Sequence, residues 1–145
     1  MEGLDDIFLR DILTKAIGRE RAEVAVDAFH EPASVSVRVN PFKIGKPIDF
    51  AKSNFGQDVQ NVPWSPFGFM LEQRPVFTLD PLFHCGCYYV QDSSAMAVGG
   101  IFRELLPRCG DCFRPVRVMD LCAAPGGKST DLAASLRFAF GDNFL

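Results

Sequence analysis

Residues 116–130 read Val-Arg-Val-Met-Asp-Leu-Cys-Ala-Ala-Pro-Gly-Gly-Lys-Ser-Thr, a stretch in which an apolar run leads into small residues and then a lysine. Its first part, residues 116–121, is mostly apolar, which predicts a strand near the middle of a parallel sheet. Residues 122–127 are all small and predict a turn, and we expect a helix from about Lys128 to Phe138. A strand, a small-residue loop and a helix in this order predict the ligand-binding corner of an α/β sheet.

The chemistry of this corner favours an anionic ligand. Small loop residues allow the backbone to approach a ligand closely, and free N–H groups at a helix start favour negative charge. Lys128 adds a cation beside them.

Two interpretations follow from these residues alone. Gly127-Lys128-Ser129 matches the second half of the nucleotide-binding pattern G-x-x-x-x-G-K-[ST], but the position of its first glycine holds Cys122. Pro125 also removes one N–H donor from a phosphate cradle. The other interpretation is a plain corner without a ligand, for which two adjacent glycines are a costly choice.

The run from Asp120 to Thr130 resembles the first motif of the Sun/Fmu-type RNA 5-methylcytosine methyltransferases. These enzymes use S-adenosylmethionine and have a Rossmann-like core. Three further segments resemble family segments in the family's order: residues 37–41, Trp64 with Gly68-Phe69, and residues 86–96. The resemblance extends from about residue 8 to residue 137.

The resemblance implies an α/β fold, with a small N-terminal α+β RNA-binding module followed by the truncated start of a Rossmann-like methyltransferase domain. We place the module at residues 1–77 and the methyltransferase start at residues 78–145. The resemblance also assigns S-adenosyl-L-methionine to the loop residues Cys122, Ala123, Ala124, Pro125, Gly126, Gly127 and Lys128. Ribosomal RNA is the substrate expected from bacterial relatives.

The family's catalytic cysteines belong to motifs well C-terminal to the cofactor loop. One thiolate adds to C6 of cytosine so that C5 takes the methyl group, and a second cysteine assists release. We therefore expect no catalytic residue in these 145 residues and no activity of this piece alone. Cys122 is interpreted as a small packing residue. A non-catalytic RNA-binding module that keeps the loop is the alternative from another class.

Basic residues concentrate in one stretch of an otherwise acidic chain. The chain has 15 Lys and Arg against 18 Asp and Glu, so bulk charge does not indicate a nucleic-acid partner. The exception holds Arg38, Lys43, Lys46 and Lys52, which we name as candidate RNA-binding residues, with a solvated loop as the alternative.

Composition sets further expectations. No run approaches the ~18 apolar residues of a membrane span. The acidic N-terminus is not typical of a signal peptide, so we expect a cytoplasmic monomer. The five cysteines do not indicate a disulfide framework. Cys85, Cys87, Cys109 and Cys112 could in principle bind zinc, but the single residue between the first two is tighter than the usual spacing, and we expect no metal.

Periodicity predicts the remaining elements. Helices are expected over residues 4–17, 20–29, 48–55 and 95–106, and strands over residues 34–40, 68–71 and 88–90. Gly99-Gly100 either weakens the last of these helices or permits a close neighbour. Five aromatic side chains could stack on RNA or pack in the core, and packing is favoured for Phe42, Phe55, Trp64, Phe67 and Phe69.

Overall fold

A computed structural model describes residues 4–108 and 116–140. The chain divides into two compact units, residues 1–33 and residues 34–145. The predicted boundary at residue 77 does not coincide with this division, because strand pairing joins residues on both sides of it. A functional division at residue 77 stays a prediction.

The first unit is a helical hairpin. Helix α1 spans Leu4–Ile17 and helix α2 spans Arg19–Phe29, as the apolar spacing predicts. Gly18 joins them with φ 84°, a conformation that glycine adopts without steric cost. Ala22 and Val26 are buried in α2. The side chains of Arg10 and Glu23 form an ion pair between the two helices.

The second unit contains a four-stranded antiparallel sheet. Its strands are β1 (Val35–Val39), β2 (Gln60–Asn61), β3 (Gly68–Leu71) and β4 (Tyr88–Val90), in the order β2-β3-β1-β4. The predicted strands at 34–40, 68–71 and 88–90 are thereby confirmed. Strand β1 is central, since Val37 lies opposite Phe69 on one side and opposite Val90 on the other.

Both faces of β1 are buried. The alternation of apolar and polar residues predicts one solvated face, and this prediction is wrong, because Ser36 and Arg38 are each only 3% exposed. The face that carries Val37 and Val39 forms the main core, to which helix α3 (Pro47–Phe55) contributes Ala51.

Aromatic rings fill this core around Tyr88. The ring of Tyr88 lies 5.0 Å from that of Phe55 and 5.7 Å from that of Phe83, measured between centroids. The Tyr88 hydroxyl donates to Oδ2 of Asp80 at 2.5 Å. Burial and this bond to a carboxylate raise the pKa of Tyr88. Asp80 also caps helix α4 (Pro81–His84) by accepting from the Leu82 amide at 2.8 Å.

The second unit also contains two further helices that follow the sheet strands in the chain. Helix α5 spans Ala97–Leu105 and follows a 3₁₀ turn at Ser94–Met96, and helix α6 spans Gly127–Phe140. The two helices contact one another closely at Gly99, where an added Cβ would lie 2.3 Å from Oδ2 of Asp131. The expectation that the glycine pair permits a close neighbour is confirmed.

The predicted strand at residues 116–121 is wrong. These residues have no strand conformation, and Met119 and Leu121 are 82% and 87% exposed. An apolar run becomes a parallel strand only where neighbouring strands pair with it, and the sheet in the described residues is wholly antiparallel. The structure is therefore mixed α/β, and the Rossmann-like start is not confirmed. No helix in the described ranges is both long and apolar enough to cross a membrane.

Candidate cofactor-binding site

Asp120 anchors the predicted cofactor loop to helix α6. Its Oδ1 accepts from the Cys122 amide at 2.9 Å, and its Oδ2 accepts from the Ser129 hydroxyl at 2.6 Å. The Ser129 bond, the Cys122 bond and, to a smaller extent, the charge of Lys128 lower the pKa of Asp120. The ionised carboxylate thus joins the start of the loop at Cys122 to the first turn of α6 at Ser129.

The first turn of α6 follows this loop directly. Gly126 has φ 103°, and its carbonyl accepts from the Thr130 amide at 2.9 Å and from the Thr130 hydroxyl at 2.8 Å. The amides before Thr130 in this turn have no carbonyl within the helix to bond, as at any helix start. An anion placed there receives these N–H groups and the helix dipole together.

The seven predicted cofactor residues lie in one continuous, accessible segment. Residues 122–125 are exposed, and Gly126, Gly127 and Lys128 are partly buried. Cys122 holds a free, exposed thiol, so the interpretation as a packing residue does not fit its surroundings. Small side chains leave this backbone open to a ligand, which is what close approach requires.

Arg38 is buried, and its side chain forms hydrogen bonds with the first turn of α6. Its Nε donates to Oε1 of Gln91 at 2.8 Å. Its Nη2 donates to the Thr130 hydroxyl at 2.6 Å and to the Gly127 carbonyl at 3.3 Å. Burial lowers the pKa of Arg38, and the charge of Asp131 opposes that shift. The structure therefore places Arg38 apart from the exposed lysines with which the sequence groups it.

Gln91 and Asp131 belong to this buried network, and sequence reasoning missed both. The backbone carbonyl of Gln91 accepts from the Ser36 hydroxyl at 2.6 Å, and its side-chain oxygen accepts from Arg38. Beside it, Oδ1 of Asp92 accepts from the Ser94 amide at 3.0 Å, a local bond in the turn that leads to α5.

Arg103 holds α5 against the middle of α6. Its Nη1 lies 3.4 Å from Oδ1 of Asp131 and donates to the Ser135 hydroxyl at 2.7 Å, and its Nη2 donates to the Trp64 carbonyl at 2.8 Å. Burial raises the pKa of Asp131, while the charges of Arg38 and Arg103 oppose this. Gly99-Gly100 was the available signal for such close contact between these helices.

The three candidate lysines are exposed around helix α3. Lys43 contacts the Cys85 carbonyl through its ammonium group, Lys46 lies 3.9 Å from Oδ2 of Asp49, and Lys52 lies in the last turn of α3. Nearby, the guanidinium of Arg137 stacks over the Phe42 ring at 4.6 Å. Charged groups thus remain accessible in this region for a phosphate backbone.

The aromatic candidates separate into two groups. Phe55, Phe67 and Phe69 pack within the fold, as expected. Phe42 and Trp64 are 39% and 45% exposed. Phe42 borders a cavity of about 240 Å³ that reaches Tyr89 and Thr130. Both rings are therefore partly accessible to a base, although the guanidinium of Arg137 covers one face of Phe42.

No group of three or more metal-ligating side chains lies together among the residues that the structure covers. Cys85 and Cys87 are free thiols there, whereas Cys109 and Cys112 lie outside the described residues. His84 bonds the Thr78 carbonyl at 2.8 Å, and His30 lies 3.5 Å from Asp6.

Comparison with known proteins assigns the family. Residues 5–93 match the family model described as the N-terminal domain of 16S rRNA methyltransferase RsmF. Ribosomal RNA small subunit methyltransferase F of Cronobacter sakazakii is 34% identical over 145 aligned positions. That alignment covers 92% of this chain and 28% of the relative, so the chain spans between a quarter and a third of that protein's length.

Solved structures agree. A methyltransferase homologue from Pyrococcus horikoshii has a TM-score of 0.61 and 32% identity, covering 82% of this chain and 37% of that one. A second structure, with a TM-score of 0.69 and 21% identity, covers 90% of this chain and 28% of its own and is similar in fold. The chain therefore belongs to the Sun/Fmu-type rRNA methyltransferase family, and its residues 5–93 correspond to the RsmF N-terminal domain.

Proposed function

We propose that this chain is the N-terminal part of an S-adenosylmethionine-dependent methyltransferase that acts on C5 of cytosine in ribosomal RNA. Residues 1–77 would serve RNA binding, and residues 78–145 would begin the methyltransferase domain. The names of the relatives support ribosomal RNA as substrate and, with it, a location in the cytoplasm. The monomeric state stays a prediction from the sequence.

The start of α6 is the observation that carries this proposal. The loop has exposed small residues, a helix start and Lys128, and Asp120 fixes it through Cys122 and Ser129. The methionine carboxylate of the cofactor is an anion of the kind that such a site favours. Lys128 and the backbone amides after Pro125 would hold it. When bound, the cofactor supplies an electrophilic methyl group.

Binding of S-adenosylmethionine by isothermal titration tests the proposal. We expect the chain to bind the cofactor, Lys128→Ala to weaken binding about tenfold, and Lys15→Ala to leave it unchanged. Lys15 is a suitable control because it is exposed in α1 and pairs with Asp11 at 2.6 Å. Binding of a magnesium–nucleotide complex without binding of S-adenosylmethionine would instead support the nucleotide-binding interpretation.

The exposed lysines test the RNA part of the proposal. Replacing Lys43, Lys46 and Lys52 by alanine should weaken binding of single-stranded RNA and reduce its salt dependence by a log–log slope of about 2–3. Replacing Lys15, Arg19 and Arg21 removes the same charge from exposed positions in the first unit. Equal losses in both triple variants would show a general charge effect and contradict a specific RNA surface at α3.

Catalysis needs cysteines beyond this loop if the family's chemistry applies. We therefore propose that the 145-residue chain alone transfers no methyl group. Incubation with RNA and labelled S-adenosylmethionine tests this, and labelled 5-methylcytosine in the RNA would contradict it. RNA binding without cofactor binding would favour the non-catalytic RNA-binding module.

A further inference from the structure

Arg38 joins the centre of the sheet to the first turn of α6. It lies on β1, the strand between β3 and β4, and its side chain is 3% exposed. Two of its three hydrogen-bond acceptors, the Gly127 carbonyl and the Thr130 hydroxyl, belong to that first turn. The third acceptor, Gln91, follows β4 directly.

This geometry is suited to fixing a helix start. A guanidinium presents its donors in a rigid planar fork, so bonds to Gln91 on one side set where the other donors lie. The ring of Tyr89 lies beside the guanidinium, 6.0 Å from centroid to Cζ. Hydrogen bonds from a charged donor are stronger than neutral ones, and burial protects them from water. A helix terminus without such partners frays.

We propose that Arg38 is a positioning residue for the cofactor loop, which it serves by holding the Gly127–Thr130 turn at the start of α6. The turn carries Lys128 and the amides to which the proposed function assigns the cofactor's carboxylate. In this proposal Arg38 acts through the turn and is assigned no contact with the cofactor. This inference rests on the proposed function for its purpose, but the contact between Arg38 and the turn stands independently of it.

Arg103 provides the matched comparison. It is also a largely buried arginine that bonds α6, but its partners Asp131 and Ser135 lie beyond the first turn. Arg38→Lys and Arg103→Lys both keep the charge and remove the fork. If Arg38 only stabilised the fold, two substitutions that lower stability equally would change amide exchange at Thr130 and cofactor affinity to the same extent.

Amide hydrogen exchange of the 145-residue chain tests the contact without any cofactor. The Thr130 amide bonds the Gly126 carbonyl, so its protection reports on the first turn. We expect Arg38→Lys to speed exchange at Thr130 about tenfold and Arg103→Lys to leave it within about twofold. Thr130→Val removes the hydroxyl that Arg38 bonds, so it should speed exchange of the neighbouring Asp131 amide as Arg38→Lys does. Thr130→Ser keeps the hydroxyl and should leave that exchange rate unchanged. Equal exchange at Thr130 in both lysine variants would overturn the proposal.

Cofactor affinity then tests the purpose. We expect Arg38→Lys to weaken S-adenosylmethionine binding about tenfold and Arg103→Lys to leave it unchanged. If the unmodified chain does not bind the cofactor, the proposed function fails, whereas the exchange result still decides the contact. If the unmodified chain and Arg38→Lys bind the cofactor equally well, the proposed function stands while the positioning role is wrong. Loss of RNA affinity in Arg38→Lys, with cofactor affinity retained, would also overturn it.

Discussion

Replacing Gly99 by alanine should separate helices α5 and α6. The added Cβ would lie 2.3 Å from Oδ2 of Asp131, 2.6 Å from its Cγ and 2.8 Å from its Oδ1. Such distances require the carboxylate to move. Asp131 is 1% exposed and is paired with Arg103, so a movement of the carboxylate away from Arg103 weakens that ion pair.

The expected loss of stability follows from three contributions. Overpacking of a tight site costs about 1–3 kcal/mol. Breaking a buried ion pair costs about 3–5 kcal/mol, and a displaced carboxylate, which weakens the pair without removing it, costs part of that. Alanine is favoured over glycine within a helix by about 1 kcal/mol, which offsets some of this. We therefore expect Gly99→Ala to lower the free energy of unfolding by about 2–4 kcal/mol.

Urea unfolding followed by circular dichroism measures this loss. Gly45→Ala is the matched control, because nothing lies within 4 Å of a Cβ added there. The control should change stability by less than about 1 kcal/mol. In an Asp131→Ala background the penalty of Gly99→Ala should vanish, since the colliding atoms are gone. A Gly99→Ala chain as stable as the unmodified one would refute the packing argument.

Three further predictions concern single side chains. The folded pKa of Asp120 lies below the ordinary value of 3.8, so its contribution to stability is present above that value and is lost as pH falls through the folded pKa. Asp120→Asn should flatten the acid side of the stability profile measured by urea unfolding, and an unchanged slope would contradict the Ser129 contact. Tyr88→Phe should cost about 1–3 kcal/mol in thermal unfolding, because Asp80 loses its hydroxyl donor, and a neutral effect would contradict this. Cys122→Ser should leave unfolding free energy within about 0.5 kcal/mol, since its thiol is exposed, and a larger change would show a packing role.

Local patterns predicted most of the helices and strands. The spacing of apolar residues in α1 and the glycine after it placed the first hairpin, because both signals lie within neighbouring residues. The alternation at β1 likewise indicated a strand. Gly99-Gly100 indicated a close neighbour, although it did not identify Asp131 as that neighbour.

Long-range contacts were beyond the sequence patterns. The apolar run at 116–121 has the composition of a parallel strand, but the described residues offer it no parallel partner. Arg38 stands in a basic stretch, and only the pairing of β1 with β4 and the approach of α6 bury it. Distance in the chain explains the failure, since Arg38 and Thr130 are 92 residues apart.

For the candidate site, the motif predicted the position of the loop but not its supports. The segment from Cys122 to Lys128 is continuous in the chain, so its residues lie together in any fold. Its anchor, the Asp120–Ser129 bond, also lies within the motif. Arg38 and Gln91 come from distant segments, and their contribution required the structure.

Amide chemical-shift mapping reports residue by residue on cofactor binding at the start of α6. Titration of the isotope-labelled chain with S-adenosylmethionine should shift the amide resonances of Gly126, Gly127 and Lys128 with one common dissociation constant. Lys128→Ala should raise that constant about tenfold. Shifts confined to residues outside 120–130, or no saturable shifts at all, would contradict cofactor binding at this site.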